Sequence, residues 1–253
     1  MILDLFQLNG KTALVTGANT GLGRGICIAL AQAGAHVIGA ARRSCAETAG
    51  KIAADGGRFD EIITDLSQPG AADLLVSEAK KLAPSVDILV NNAGMILRED
   101  AALVSEADWN RVIYLNQTFV FLLSQAVANA FFFPQGHGKI INIASMLSYQ
   151  GGIRVPAYAA SKSAVLGLTK SLSNEWASKN IQVNAIAPGY MATNNTANLQ
   201  KDEERSEEIL SRIPAGRWGT PEDLTGTAVY LASRASDYVN GFTVAVDGGW
   251  LGR

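Results

Sequence analysis

Residues 12–23 read Thr12-Ala13-Leu14-Val15-Thr16-Gly17-Ala18-Asn19-Thr20-Gly21-Leu22-Gly23, and this stretch decides the fold. Its first five residues are apolar or β-branched, the composition of a strand covered on both faces. Glycines at 17, 21 and 23 follow at once, and helical periodicity begins at Gly23. Gly17, Gly21 and Gly23 permit a tight turn, close approach of a pyrophosphate to the backbone, and close packing of helix on strand. Asn19, Thr20 and Leu22 complete the turn, and the helix start offers unpaired N–H groups and the positive end of a dipole. With 25 glycines in the chain, the spacing alone says little. Its position between a strand and a helix reads as a dinucleotide phosphate site.

Working outward, short Val- and Ile-rich runs recur at 36–40, 61–64, 88–91, 139–143, 182–187 and 243–246. Helical periodicity covers 23–33, 71–82, 105–130, 157–178 and 221–232. Strands joined by crossovers of this length pair in parallel, with helices on both faces. The expected fold is α/β: one doubly wound Rossmann-type domain over residues 1–253. No Pro-, Ser- or Gly-rich linker divides it. The interruption is 191–214, polar and highly charged, which reads as one or two surface helices inserted as a substrate lid.

Composition narrows the class. The 253 residues are 48% apolar, with a net charge of −2 and dispersed Lys and Arg, so no attraction to nucleic acid is expected. Cys27 and Cys45 form no CxxC and no cluster with His36 or His137, so neither a metal site nor a structural disulfide is expected. Cys27 reads as a small hydrophobe, Cys45 as a free thiol beside a turn, and His137 as exposed in a Gly-rich turn. No basic segment precedes an apolar core at the N-terminus, and no uncharged apolar stretch approaches the ~18 residues of a membrane span. The expectation is a cytoplasmic protein with no membrane partner.

The second strand ends in Gly39-Ala40-Ala41-Arg42-Arg43. An NAD enzyme places an acidic side chain here for the adenosine ribose. Ala41 removes the repulsion of a 2′-phosphate, and Arg42 and Arg43 can bind one, so NADP is preferred and NAD remains possible. Asp65-Leu66 follows the third strand, where a short carboxylate can accept from the adenine amine. Asn91-Asn92-Ala93-Gly94 closes the fourth. There Ala93 and Gly94 allow close approach to the cofactor, and the asparagines can tie strand ends together.

Tyr158 and Lys162 stand four apart at the start of a long helical pattern and share one face. A phenol near pKa ~10 is a poor base at neutral pH. A neighbouring ammonium and an oxidised nicotinamide favour the phenolate. Lys162 can also reach the nicotinamide ribose. Ser145, at the end of the fifth strand, would bind and orient a substrate oxygen. Asn116 lies mid-helix, where it can kink the helix and hold a water beside Lys162 for proton relay. The conjunction points to hydride transfer at an alcohol or carbonyl carbon.

In order along the chain, TGANTGLG, NNAG, Asn116, Ser145, the YAASK run from Tyr158, Pro188-Gly189 and Val246-Asp247-Gly248-Gly249 resemble the short-chain dehydrogenase/reductase family over essentially the full length. The resemblance implies an NAD(P)-dependent oxidoreductase with a seven-stranded parallel sheet, the catalytic roles given above, and frequently a homotetramer. It also implies that the segment after Pro188-Gly189 closes over nicotinamide, with Thr193 in reach of its carboxamide.

Four stretches, 141–158, 183–195, 205–219 and 236–253, are similar to a sugar-acid branch of that family. This implies interconversion of a hydroxyl and a keto group on a deoxy sugar acid, either 2-keto-3-deoxygluconate and its 2,5-diketo form or 2-deoxygluconate. Members of that branch can carry NAD-type residues after the second strand, so here the resemblance and Ala41-Arg42 pull apart. One alternative is a reductase of another carbonyl, such as a 3-oxoacyl thioester. The acidic run of the lid disfavours an acidic carrier. A non-catalytic cofactor-binding regulator would have no use for Ser145, Tyr158 and Lys162 together. A sugar acid needs a cation for its carboxylate: Arg154 first, then Arg205 and Arg217. Gln150, Asn194, Asn195 and Trp250 are candidates for its hydroxyls and sugar face.

Overall fold

The computed structural model describes residues 1–194 and 196–252. Seven strands, β1 (Thr12–Thr16), β2 (His36–Ala41), β3 (Arg58–Ile63), β4 (Ile88–Asn91), β5 (Gly138–Ile143), β6 (Ile181–Pro188) and β7 (Thr243–Val246), form one sheet in the order β3-β2-β1-β4-β5-β6-β7. Every pairing is parallel. Central β1, β4 and β6 are buried at every position, as strands covered on both faces must be. Edge strand β3 starts at Arg58 rather than at the expected residue 61. Of its side chains only Ile62 is buried, so the hydrophobic signal covers only its second half.

The described residues form eight α-helices: α1 (Gly21–Gln32), α2 (Ala46–Ala54), α3 (Ala71–Leu82), α4 (Glu106–Gln135), α5 (Pro156–Trp176), α6 (Ala197–Lys201), α7 (Glu203–Arg212) and α8 (Pro221–Ala232). The sequence expectation omitted α2, a short helix rich in Ala and interrupted by Gly50. Tertiary contacts hold it. Thr48 Oγ1 donates to the carbonyl of Ala18 at 2.8 Å, and Ile52 is buried against the sheet. Helix α1 begins at Gly21, two residues before the expected start, because the glycine turn itself enters the helix.

Helix α4 corrects a second expectation. Residues 112–138 carry no Asp, Glu, Lys or Arg, and the helix is long and apolar enough to cross a membrane by length and composition. Here it packs on the sheet, with Phe119, Leu123, Val127 and Phe132 buried in the core. Two of its turns, Tyr114–Thr118 and Ala128–Phe132, take the π form. The left-handed Gly136 (φ 72°) ends it.

The core lies in two layers. On one face Leu14, Leu89, Phe119, Leu123 and Trp176 pack together, and on the other Val15, Ile26, Leu30, Val37 and Leu224 do. Each such side chain contributes roughly 1.5–3 kcal/mol on burial. Cys27 and Cys45 are both free, as expected, and both are buried in the second layer, so Cys45 beside its turn is also a core residue. The His137 side chain is partly exposed, as expected, but it also has a partner. Its Nε2 lies 2.9 Å from Asp87 Oδ1, and the same oxygen accepts from Lys11 at 2.9 Å.

Strand order reverses between β1 and β4, which opens a crevice at the carboxyl ends of the strands. The residues that follow β1 to β6 gather there.

Candidate active site

The turn after β1 is shaped by exclusion. Gly17 has φ 69°, and a Cβ on it would come within 2.7 Å of Asn92 Nδ2. A Cβ on Gly23 would lie 2.1 Å from the carbonyl oxygen of Gly17. Thr16 Oγ1 accepts from the backbone N–H of Asn92 and of Ala93, both at 3.0 Å, and Asn92 Nδ2 donates to the carbonyl of Thr16 at 2.8 Å. The ends of β1 and β4 are thereby stitched together beneath the glycine turn. Arg24 supports the turn from below, donating to the carbonyl of Asn19 at 2.8 Å.

Asn91 departs from the expected cofactor contact. It is buried and donates to Ser124 Oγ (3.0 Å) and Asn142 Oδ1 (2.9 Å), so it ties β4 to the core and to β5. Successive strand residues face opposite sides of the sheet, and Asn92 is the one that reaches the turn.

A cavity of about 650 Å³ runs from Gly17 and Asn19 past Ala41 and Arg42 to Asp65 and Leu66. A second, of about 310 Å³, shares Gly17, Asn19, Ala93 and Gly94 with it and is walled by Thr20, Gly21, Leu22, Gly23, Tyr158, Lys162 and Thr193. Their shared floor, where a Cβ on Gly17 would meet Asn92, fits a dinucleotide whose phosphates cross the turn. Arg42 lines the first cavity and no carboxylate stands at the end of β2, an arrangement that suits a 2′-phosphate. Arg43 is exposed and does not line it. After Arg43 the loop turns away, because Glu61 accepts from the N–H of Cys45 at 2.7 Å and from Ser44 Oγ at 3.3 Å. Asp65 lines the cavity, but its carboxylate already accepts from Ser67 N–H (3.0 Å) and Ser67 Oγ (2.7 Å), and these bonds hold it below the usual carboxylate range.

Pro156 is the first residue of α5, which places Tyr158 in the first turn, where the helix dipole favours an anion. Burial pushes the phenol above its ordinary value, while a hydrogen bond from Ser145 and the positive charge of Arg98 pull it back. The ammonium of Lys162 is not among those causes, contrary to expectation. It lies 5.8 Å from the centre of the Tyr158 ring and donates instead to the carbonyl of Ile143 at 2.6 Å. Burial lowers Lys162 to about 8.

Ser145 is held by its own turn. Its Oγ accepts from Leu147 N–H at 3.1 Å, and its N–H donates to Ser148 Oγ at 3.2 Å. Ser148 Oγ in turn donates to the carbonyl of Lys162 at 2.7 Å, a link between the Ser145 turn and α5 that spacing alone does not reveal. Asn116 sits in the first π turn of α4, where the widened helix lets it face the site. Its side chain grips Met95 at both ends, accepting from the N–H and donating to the carbonyl, each at 2.9 Å.

The substrate candidates divide. Asn194 and Thr193 line the second cavity, and Thr193 packs over Gly21, its Cγ2 3.6 Å from where a Cβ would stand. Asn195 lies outside the described residues. Arg154 is engaged by Asp100 (2.9 Å) and Glu99 (3.7 Å) and lines neither cavity. Arg205 pairs with Glu208 one turn along α7. Arg217 is clamped in two places by Asp223, at 2.7 and 2.8 Å. All three arginines are committed to carboxylates, Arg154 and Arg217 from surface loops and Arg205 within α7, because acids lie close by in each place. Trp250 is buried rather than presented to a sugar, and its Nε1 donates to Gln150 Oε1 at 3.0 Å. It packs edge-on to Tyr190, under the guanidinium of Arg212, and so docks the end of α7 on the Ser145 loop. Pro188 and Gly189 are absent from both cavity walls. Gly189 is small because Asp247 passes so close that a Cβ would meet its Cα at 2.6 Å.

The cation that does line the second cavity, with Tyr158 and Lys162, is Arg98. It stands four residues after Gly94 in an irregular loop, and no periodicity marks it in the sequence.

Residues 17–251 match the family model described as enoyl-(acyl carrier protein) reductase. The chain is 59% identical over 254 residues to the 2-dehydro-3-deoxy-D-gluconate 5-dehydrogenase of Dickeya dadantii (strain 3937), covering 100% of both. It is 57% identical over 253 residues to the enzyme of the same name from Escherichia coli (strain K12), again covering 100% of both. A solved structure from Agrobacterium tumefaciens, provisionally named 2-deoxy-D-gluconate 3-dehydrogenase and holding bound NADP, superposes with a TM-score of 0.93 at 52% identity, over 99% of this chain and 100% of that one. Sheet order, glycine turn and these likenesses agree, and the chain belongs to the short-chain dehydrogenase/reductase family.

Proposed function

We propose that the chain is an NADP-preferring dehydrogenase that interconverts a hydroxyl and a keto group on a deoxy sugar acid, 2-keto-3-deoxygluconate and its 2,5-diketo form being the first pair to test. The observation that carries this reading is a single cavity wall bearing Tyr158, Lys162 and Arg98, continuous with the glycine turn. The relatives' names support the sugar acid, and Arg42 with the NADP-bound neighbour supports the cofactor. When bound, a nicotinamide dinucleotide would supply the hydride acceptor or donor.

The side chains then have distinct tasks. In the oxidation direction Tyr158 takes the proton of the substrate hydroxyl, and in reduction it returns that proton to the carbonyl oxygen. Ser145, already hydrogen-bonded to Tyr158, holds the same oxygen. Lys162, held by the Ile143 carbonyl on the same cavity wall, would hydrogen-bond the ribose of a bound cofactor. Asn116 secures the Met95 backbone. Its Oδ1 and Lys162 Nζ lie 3.2 and 3.7 Å from the point where a Cβ on Gly94 would sit, so glycine at 94 leaves these two polar groups unobstructed in one corner of the site. Arg98 meets the substrate carboxylate, the role first looked for at Arg154. Residues 191–214 serve as the lid, and the reading includes a homotetramer in the cytoplasm, supported by the family alone.

Initial rates with 2-keto-3-deoxygluconate, run in parallel with NADP and NAD at neutral pH, test the reading. Turnover with a higher kcat/KM for NADP is the expected result. No turnover with either cofactor overturns the substrate, and a preference for NAD overturns the part assigned to Arg42.

A further inference from the structure

The loop from Asn92 to Ser105 joins β4 to α4 without strand or helix, yet it delivers Arg98 to the cavity. A segment of this kind keeps one conformation only where side chains pin it. Two pins straddle Arg98. On one side Asn116 holds both backbone groups of Met95. On the other, the N–H of Glu99 donates to the carbonyl of Arg154 at 2.9 Å, and the Arg154 guanidinium reaches Asp100 at 2.9 Å and Glu99 at 3.7 Å.

Arg154 is unusual in its own backbone. It has φ 62°, in the left-handed region that suits glycine, and among the described residues it shares this among non-glycines with Asn180 alone. Asn tolerates that region through its short polar side chain, whereas Arg has no such compensation. The three side chains are also exposed, between 48% and 61%, where an ion pair adds little stability. Strain without a stability return points to function. Arg154 lies four residues before Tyr158, so its grip ties the loop carrying Arg98 to the element carrying Tyr158.

We infer that Arg154 is a positioning residue: by clamping Glu99 and Asp100 it sets the Arg98 guanidinium relative to Tyr158, and so governs selectivity for a carboxylate-bearing substrate that it does not touch. This rests on the reading above, in which Arg98 receives the carboxylate of a sugar acid. With two carboxylates around it, Arg154 is itself unsuited to bind a third. Its planar fork spans both partners, which a lysine cannot do.

The experiment is a double-mutant cycle of Arg98→Met and Arg154→Ala, with steady-state kinetics on 2-keto-3-deoxygluconate and on its neutral primary amide, NADP(H) saturating. Arg154→Ala is expected to raise KM for the acid roughly tenfold with kcat within about twofold, and to leave KM for the amide unchanged. In the Arg98→Met background it is expected to add nothing. Arg154→Lys should recover part of the loss. If Arg154→Ala does not fold, Asp100→Asn with Glu99→Gln enters the same cycle. Equal losses on acid and amide, or full additivity with Arg98→Met, would overturn the inference while leaving the sugar-acid reading in place. An Arg98→Met enzyme that handles the acid as the wild type does would overturn the assigned role of Arg98 and this inference with it.

Discussion

Lys162 Nζ donates to the carbonyl of Ile143 at 2.6 Å, so the ammonium on α5 is fixed to the carboxyl end of β5, two residues before Ser145. One hydrogen bond thus sets the spacing between the element that carries Ser145 and the helix that carries Tyr158. Burial makes this arrangement costly, and the cost depends on pH.

Lys162 falls from its ordinary 10.5 to about 8 in the folded chain. Between those values the unfolded chain holds one proton more than the folded chain, so folding becomes more favourable as pH rises through that window. Below it the penalty for burying the charge is present in full. In cofactor-free protein, the stability of wild type relative to Lys162→Met should therefore improve by about 2 kcal/mol between pH 7 and 9.5. Urea unfolding of the two proteins across that range measures it, and a difference independent of pH would contradict the account.

Tyr158→Phe removes the proton-carrying oxygen and keeps the ring against the cavity wall. Turnover should fall by roughly 10³-fold or more, within the range of lost acid–base catalysis. NADP affinity, read by fluorescence titration, should stay within about twofold, since the phosphate turn is untouched. A variant that retained near-wild-type turnover would remove Tyr158 from the mechanism.

Arg42→Ala takes away the cation that lines the adenosine end of the larger cavity. A charge-assisted hydrogen bond of this kind contributes about 1.5–3 kcal/mol, so Kd for NADP should rise roughly ten- to hundredfold while that for NAD barely changes. Arg43→Ala, outside the cavity, should alter neither. Equal weakening of both dinucleotides would show that Arg42 supports the fold and does not read the phosphate.

Two glycines offer a contrast in stability. Gly23→Ala would drive a methyl to 2.1 Å from the Gly17 carbonyl, and the turn would have to open. Loss of dinucleotide binding, with a drop of several kcal/mol, is expected. Gly167→Ala lies inside α5 with nothing within 4 Å, and should stabilise by up to about 1 kcal/mol through helix propensity. Thermal melts of both variants decide, and comparable Tm values would refute the steric argument.

Tyr158, Lys162, Ser145 and the glycine turn were legible because each is tied to local pattern: a helix face, a strand end, a strand-to-helix junction. The arginines were not. Arg154, Arg205 and Arg217 looked suitable by position in the chain, but each is paired with a carboxylate: Arg154 with Asp100, which only the folded structure brings near, and Arg205 and Arg217 with the local Glu208 and Asp223. Arg98 was passed over for the converse reason, since a residue in an irregular loop carries no periodic signal. Trp250 read as a sugar-facing ring and proved to be the wedge between Tyr190, Arg212 and Gln150, three residues far from it in sequence.

By itself the sequence determined the parallel sheet, the dinucleotide turn and the Ser-Tyr-Lys set, since backbone propensity, hydrophobic period and glycine sterics act over a few residues. The tertiary structure alone decided which arginine faces the cavity, which asparagine stitches the strands, and how α7 is docked. Those outcomes depend on contacts between distant segments, and a side chain's charge or ring is committed only when a partner arrives beside it.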